Sequence, residues 1–138
     1  MALRAETRAR ARALQLLYAW EADGHPELDA ILPRVERLTQ PSSPVLAGAA
    51  SLARGVIAER ATLDALFAGA TEHWRLDRLA LVDRNILRLA VFEMVHQRVP
   101  PKVAIDEALW LAHRFGGLQS PSFINGVLDQ VARTLGRL

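Results

Sequence analysis

The segment from Leu79 to Gln97 constrains the fold more than any other. On a helical wheel it is apolar nearly all the way round, through Val82, Ile86, Leu87, Leu89, Ala90, Val91, Phe92 and Met94. A helix of that kind has to be surrounded by other elements. The rest of the chain offers the same material. Alanine, leucine and arginine dominate, all good helix formers, and no stretch sustains the alternation of a half-buried strand. Punctuation falls at Gly24-His25-Pro26, Pro41-Ser42-Ser43-Pro44, Thr71 to Arg75, Val99-Pro100-Pro101 and Gly116-Gly117. The spacing predicts helices near 4–23, 27–39, 44–69, 77–97, 101–115 and 121–135, the fourth open to a split near Ala80. The expected class is all-α, with six to seven helices. Thr71 to Arg75 reads as the divide between an N-terminal half, about 1–72, and a C-terminal half, about 75–138. Pro101 suits the first turn of a helix and Gly116 its end. Ser120 precedes Pro121 as a capping hydroxyl.

With 138 residues the chain suits one domain and is long enough to bury about two thirds of its unfolded surface. No apolar run approaches the ~18 residues of a membrane span. The N-terminus lacks the apolar core of a signal peptide, so the expectation is a soluble cytoplasmic protein. The absence of cysteine excludes disulfides, thiol catalysis and thiolate metal sites. The net charge of +2 sits beside a sequence pI of 9.9, because every basic residue except Lys102 is arginine. The pI alone therefore says little about partners; the distribution of charge says more. Arg4, Arg8, Arg10 and Arg12 face a single acid, Glu6, within the first 12 residues.

On the first helix Arg4, Arg8, Arg12 and Gln15 share one polar face, while Leu14, Leu17 and Tyr18 face a core. Arginines spaced four apart form a ladder that can follow phosphates; a solvated helix face is the plainer reading. Arg10 lies above the apolar stripe, where an intrahelical pair with Glu6 would occupy it. Glu93 falls between Ile86 and Leu89 on its wheel, so a structural ion pair is expected there. In the next helix Ile105, Ala108, Leu109, Ala112 and Phe115 form the predicted core stripe. Trp110 lies off it, as a partner contact or a core edge. In the last helix Ile124, Val127, Leu128, Val131, Ala132 and Leu135 share one face. Phe123 falls outside that face, near the helix N-terminus and beside Ser120 and Ser122. That position suits a base stacking next to a phosphate, or a lid on the core edge. Gly126 in mid-helix costs roughly 1 kcal/mol against alanine, and a close helix–helix approach would account for it.

Catalytic chemistry finds little support. The nucleophile elbow, the phosphate loop and the dinucleotide fingerprint are all missing, and the four histidines are scattered. Glu93-x-x-His96 matches one arm of a di-iron motif whose second arm is lacking. The reading is a protein with no catalytic residues, no metal site and no cofactor.

Four segments together carry a resemblance. Arg8-Ala9-Arg10-Ala11-Arg12-Ala13-Leu14-Gln15-Leu16-Leu17-Tyr18 resembles the opening helix of the NusB family. Asp83-Arg84-Asn85-Ile86-Leu87-Arg88-Leu89-Ala90-Val91-Phe92-Glu93-Met94 is similar to its central helix, and Val99-Pro100-Pro101-Lys102-Val103-Ala104-Ile105-Asp106-Glu107-Ala108 to the start of the next. Phe115-Gly116-Gly117-Leu118-Gln119-Ser120-Pro121-Ser122-Phe123-Ile124-Asn125-Gly126-Val127-Leu128-Asp129 is the most specific match. The resemblance implies two small helical bundles packed across each other. It implies a transcription antitermination factor that binds the boxA element of nascent ribosomal RNA together with NusE. That pair joins NusA, NusG and RNA polymerase. Carried over by position, the RNA surface is Arg4, Arg8, Arg10 and Arg12, with Lys102, Gln119, Ser120 and Phe123. NusE is expected on a face with Tyr18 and Asp83. Self-association stays open. Two other readings remain. One is a helical protein–protein adaptor without RNA contact. The other is the RNA-binding domain of a ribosomal RNA cytosine methyltransferase, for which a chain ending at Leu138 leaves no room for a cofactor-binding domain.

Overall fold

A computed structural model describes residues 3–70 and 79–137. Every regular element among them is a helix: α1 (Ala5–Ala22), α2 (Leu28–Thr39), α3 (Ser43–Ala58), α4 (Arg60–Ala68), α5 (Leu81–Val95), α6 (Pro101–Phe115) and α7 (Ser120–Thr134). They form two compact units, Met1–Ala58 and Glu59–Leu138.

In the first unit α1 packs against α3 and α2. Small side chains allow the α1–α3 approach: Ala9, Ala13, Ala49 and Ala53 are buried. A Cβ built on Gly48 would stand 3.4 Å from that of Ala9. Leu14, Leu16, Leu17 and Trp20 continue the α1 core. From α2 come Leu28, Ile31 and Val35, the three- and four-residue spacing of one helix face. Gln40, in the left-handed region, ends α2 with its N–H donating to the Glu36 carbonyl at 2.8 Å.

In the second unit α5 is the hub, packed against α4, α6 and α7. Ten consecutive residues, Asn85 to Met94, are buried, as an all-round apolar helix requires. Two polar residues among them have defined partners. Arg88 reaches Asp64 on α4 with a two-pronged ion pair, Nε to Oδ1 at 2.7 Å and Nη2 to Oδ2 at 2.8 Å. Its third nitrogen, Nη1, donates to Asn85 Oδ1 at 3.1 Å, and Asn85 Nδ2 donates to the Leu81 carbonyl at 2.9 Å. Such forked pairs fix orientation as well as contributing energy.

Several expectations are corrected. The helix expected over 44–69 is two helices, broken at Glu59 (φ −110°, ψ 14°). No glycine or proline marks the break. It lets α4 turn onto α5 and α7, where Leu63 and Phe67 become fully buried. The Glu59 carboxylate meets His96 Nε2 at 2.7 Å, and the Arg88–Asp64 pair anchors the next turn. The division between units accordingly falls after Ala58 and not near 72–75. Thr71 to Arg75, and the predicted start of the fourth helix at 77, lie outside the described residues; that helix begins at Leu81. The α6 stripe is rotated: Ala104 and Leu111 are buried, whereas Leu109 and Phe115 are only half-buried. Helix α6 lies between α5 and α7, so it buries two flanks and not one centred stripe. On α7 the predicted face holds, except that Leu135 stands past the helix end and is half-buried. Gly126 is exposed, and a Cβ there would meet nothing within 4 Å, so no helix approaches it closely.

Candidate nucleic-acid interface

The first unit presents its cations where helix α1 begins. Arg4 is the N-cap residue, with extended backbone, and its carbonyl accepts the Arg8 N–H at 3.1 Å. Both arginines are exposed. Arg8 Nη1 donates to the Leu3 carbonyl at 2.8 Å, which folds the guanidinium back over the helix start. Neither has a carboxylate partner among the described residues. A helix N-terminus already carries partial positive charge from its free N–H groups. Adding arginines there is unfavourable for the isolated helix and favourable for a bound anion.

The ladder does not run on at the surface. Arg12 is half-buried, and Arg10 is 6% exposed. The resemblance assigns Arg10 to the RNA surface; the structure buries it on α1, while Glu6 stays exposed. Tyr18, placed by its wheel on the core side, is 45% exposed. The core of α1 centres on Leu14, Leu17 and Trp20, which leaves Tyr18 on the shoulder, open to a partner.

In the second unit the loop before α7 is a tight knot. Ser120 Oγ accepts the Gly117 N–H at 2.9 Å, and the Gly117 carbonyl accepts the Ser120 N–H at 3.1 Å. A Cβ on Gly116 would lie 2.7 Å from Ser120 Cβ and 2.8 Å from the Ala112 carbonyl oxygen. Only glycine fits there. Ser120 itself is 5% exposed and opens α7 as its first residue, with Gln119 at the cap position. Its hydroxyl accepts the Gly117 N–H and so helps to shape the loop. Gln119 is exposed, and Leu118 projects almost wholly into solvent at 96% exposure.

Beside this knot lies a groove of about 410 Å³. Among the described residues it is lined by Leu79, Ala80, Asp83, Gly117, Leu118, Gln119, Ser120 and Phe123. Phe123, half-buried, is part of this lining, consistent with its place off the α7 core face. Asp83, in the first turn of α5, is half-buried and also lines it. The fold thus brings Phe123, Gln119 and Asp83 to one groove. The sequence pattern puts Phe123 and Gln119 together but assigns Asp83 elsewhere. It misses Leu79, Ala80 and Leu118, of which only Leu118, isolated between Gly117 and Gln119, carries a signal. Lys102 is exposed in the first turn of α6, apart from the lining.

Other polar clusters are structural. His96 contacts both Glu59 oxygens, at 2.7 and 2.9 Å, and tilts against Phe92 with ring centroids 4.6 Å apart. Trp110 is half-buried. A hydrogen bond and the charge of Asp129 raise the Arg133 guanidinium above its ordinary pKa on the exposed end of α7. No group of three or more His, Asp or Glu side chains among the described residues could hold a metal ion. None of their helices is long and apolar enough to cross a membrane.

These features define a small all-helical protein whose distinctive surfaces suit binding: bare cations at the start of α1 and an apolar groove beside the start of α7. Comparison with known proteins agrees. The model of the NusB family matches residues 7–133. The transcription antitermination protein NusB of Anaeromyxobacter sp. (strain Fw109-5) is 47% identical over 132 residues, covering 94% of this chain and 90% of that protein. The protein of the same name from Solibacter usitatus is 44% identical over 129 residues, covering 93% and 88%. Among solved structures, NusB of T. maritima superposes with a TM-score of 0.83 at 33% identity, over 96% of this chain and 93% of that one. NusB in a complex of antitermination factors NusB and NusE with dsRNA shares the fold, with a TM-score of 0.83 at 23% identity over 96% and 99%. The chain belongs to the NusB family.

Proposed function

We propose that this protein is a transcription antitermination factor that binds boxA-type RNA of nascent ribosomal transcripts and acts with NusE in the RNA polymerase complex that includes NusA and NusG. The observation that carries the RNA reading is the pair Arg4 and Arg8, exposed and without carboxylate partners among the described residues at the start of α1. Such cations neutralise phosphates and release counterions, a salt-dependent contribution. The second unit adds the Phe123 ring and Gln119, suited to stacking and hydrogen bonding with unpaired bases. Lys102 contributes charge at the start of α6. Family membership and the relatives' shared role in antitermination support the reading.

The action is binding, with no bond chemistry, in the cytoplasm. Tyr18 is the anchor for NusE on the first unit: a large aromatic, 45% exposed, of the kind enriched at protein interfaces. A protein that binds RNA and NusE together shows coupling between the two, so each tightens the other.

The test is a titration of a boxA-type RNA and a scrambled control, with and without NusE, at two salt concentrations. Tighter, NusE-enhanced and salt-sensitive binding to boxA is the expected result. Equal, weak binding to both RNAs under every condition would leave a helical adaptor whose partners are proteins.

A further inference from the structure

Helices α5 and α7 end in the same way. After α5 the Gln97 N–H donates to the Met94 carbonyl at 3.2 Å and the Arg98 N–H to the Glu93 carbonyl at 3.0 Å. After α7 the Gly136 N–H donates to the Arg133 carbonyl at 2.9 Å and the Arg137 N–H to the Ala132 carbonyl at 2.8 Å. Each time a residue in the left-handed region, Gln97 (φ 52°) or Gly136 (φ 71°), is followed by an arginine. The two arginines converge. Arg98 and Arg137 line one cavity of about 290 Å³, with apolar walls from Met94, Val99 and Pro100. The caps fix the backbone of both, and the Arg98 guanidinium lies over the Phe92 ring, 5.9 Å from its centroid.

An arginine beyond a helix C-terminus complements the helix dipole, which would account for each cation singly. It does not account for Gln97. The left-handed position is free of strain for glycine, which α7 uses there and α5 does not. The Gln97 side chain supplies a reason. With its amide oxygen turned to Arg137, it accepts from Nη1 and Nη2 at 2.9 Å each, so a strained residue holds the second guanidinium at the cavity. Among the described residues no acid lines the cavity, and neither arginine has a carboxylate partner. A carboxylate or a backbone phosphodiester would bring one negative charge to these two positive ones. A phosphate monoester brings about 1.5 to 2 at neutral pH, with three acceptor oxygens. No aromatic side chain lines the cavity among the described residues, so a base finds no stacking platform there. The volume falls near the lower end of small-ligand sites, roughly 300 Å³. We propose that this cavity binds a small aliphatic phosphate monoester, with Arg98 and Arg137 donating to the phosphate oxygens and Gln97 positioning Arg137. It lies at the opposite end of α5 from the groove beside α7, a helix of 15 residues and so about 22 Å long, and is independent of the RNA reading.

The test is a titration of the full chain at fixed ionic strength, followed by the backbone amide NMR signals of residues 94–102 and 133–137. The probes are glycerol phosphate, methyl phosphate, and the singly charged dimethyl phosphate and acetate. Wild type is compared with Arg98→Gln, Arg137→Gln and Gln97→Gly, and melting curves confirm that all three fold. Glycerol phosphate and methyl phosphate are expected to shift these signals and to bind at least tenfold more tightly than the two monoanions. Each arginine variant should weaken glycerol phosphate about tenfold, the scale of a hydrogen bond to a charged group, and leave the affinity for boxA-type RNA unchanged. Gln97→Gly should raise the melting temperature by relieving strain and yet weaken glycerol phosphate, a loss that a purely structural cap would not produce. Equal binding of monoanions and dianions, or no shift at these signals, overturns the site. A phosphoserine peptide binding tenfold more tightly than glycerol phosphate would make the partner a modified protein and overturn the small-molecule assignment. If the arginine variants weaken boxA-type RNA and not glycerol phosphate, the two cations belong to an RNA surface and the proposal fails.

Discussion

Helix α1 and helix α7 both begin at a surface suited to RNA, and they do so by opposite means. At the start of α1 the side chains are long, charged and exposed; Arg4 and Arg8 have no carboxylate partner among the described residues, and Arg8 donates to the Leu3 carbonyl. At the start of α7 the chain is tied down by the Gly117–Ser120 hydrogen bonds and the space that only Gly116 allows. Charge at a flexible, exposed site acts over about a Debye length and is weakened by salt. A shaped groove acts only at contact and discriminates by fit. The first kind of surface contributes affinity for any RNA; the second is where sequence is read.

The contrast can be broken most severely from the interior. Asp64→Ala removes the partner of a guanidinium whose side chain is 5% exposed. Leaving that charge buried and unpaired is expected to cost about 3–5 kcal/mol, read as a loss of unfolding free energy in urea. The groove, which α5 helps to line, should be lost with it, while α1 remains helical. A small change would show that α4 is held by its Leu63 and Phe67 packing alone.

Phe123→Ala addresses the groove directly. Removing one stacking partner is expected to weaken RNA binding by about 1–3 kcal/mol with the salt dependence unaltered. The double change Arg4→Ala with Arg8→Ala should do the reverse. On a single strand the slope of log affinity against log salt falls by about 0.7 for each phosphate that is no longer neutralised, and the preference for boxA over scrambled RNA is kept. If both variants altered slope and preference alike, the two surfaces would not be acting differently. The smallest expected effect is a gain. Gly126→Ala places a methyl group in open space on an exposed helix face, and should raise stability by up to about 1 kcal/mol through helix propensity. A drop in RNA affinity in that variant would show that a ligand approaches the α7 backbone there.

Much of the fold could be read from the chain because its causes are local. The bounds of α2, α6 and α7 lie beside prolines and glycines, Pro26 and Pro41, Pro101 and Gly116, Pro121 and Gly136, whose effects act within a turn. The face of α7 follows from spacing alone, since one side of that helix is buried and the other is exposed. The break at Glu59 could not be read, because Ala58-Glu59-Arg60 is as helical in propensity as its neighbours; packing of α4 on α5 and α7 decides it. Tyr18 left its expected place for a similar reason. A wheel fixes the angle between two residues on α1, but which angle is covered depends on where α2 and α3 lie. Leu109 gave way to Leu111 because α6 is flanked on two sides.

The candidate site divides along the same line. The sequence by itself determined that the chain is helical, that its first turns are rich in arginine, and that Phe123 stands off the α7 core face. These are matters of composition and of a period of 3.6 residues. Only the tertiary structure decided which arginines reach solvent, that the Ser120 hydroxyl is spent on Gly117, and that Asp83 and Phe123, from different helices, line one groove. Burial and convergence depend on contacts between segments distant in the chain, and no local pattern encodes which face of a helix its neighbours will cover.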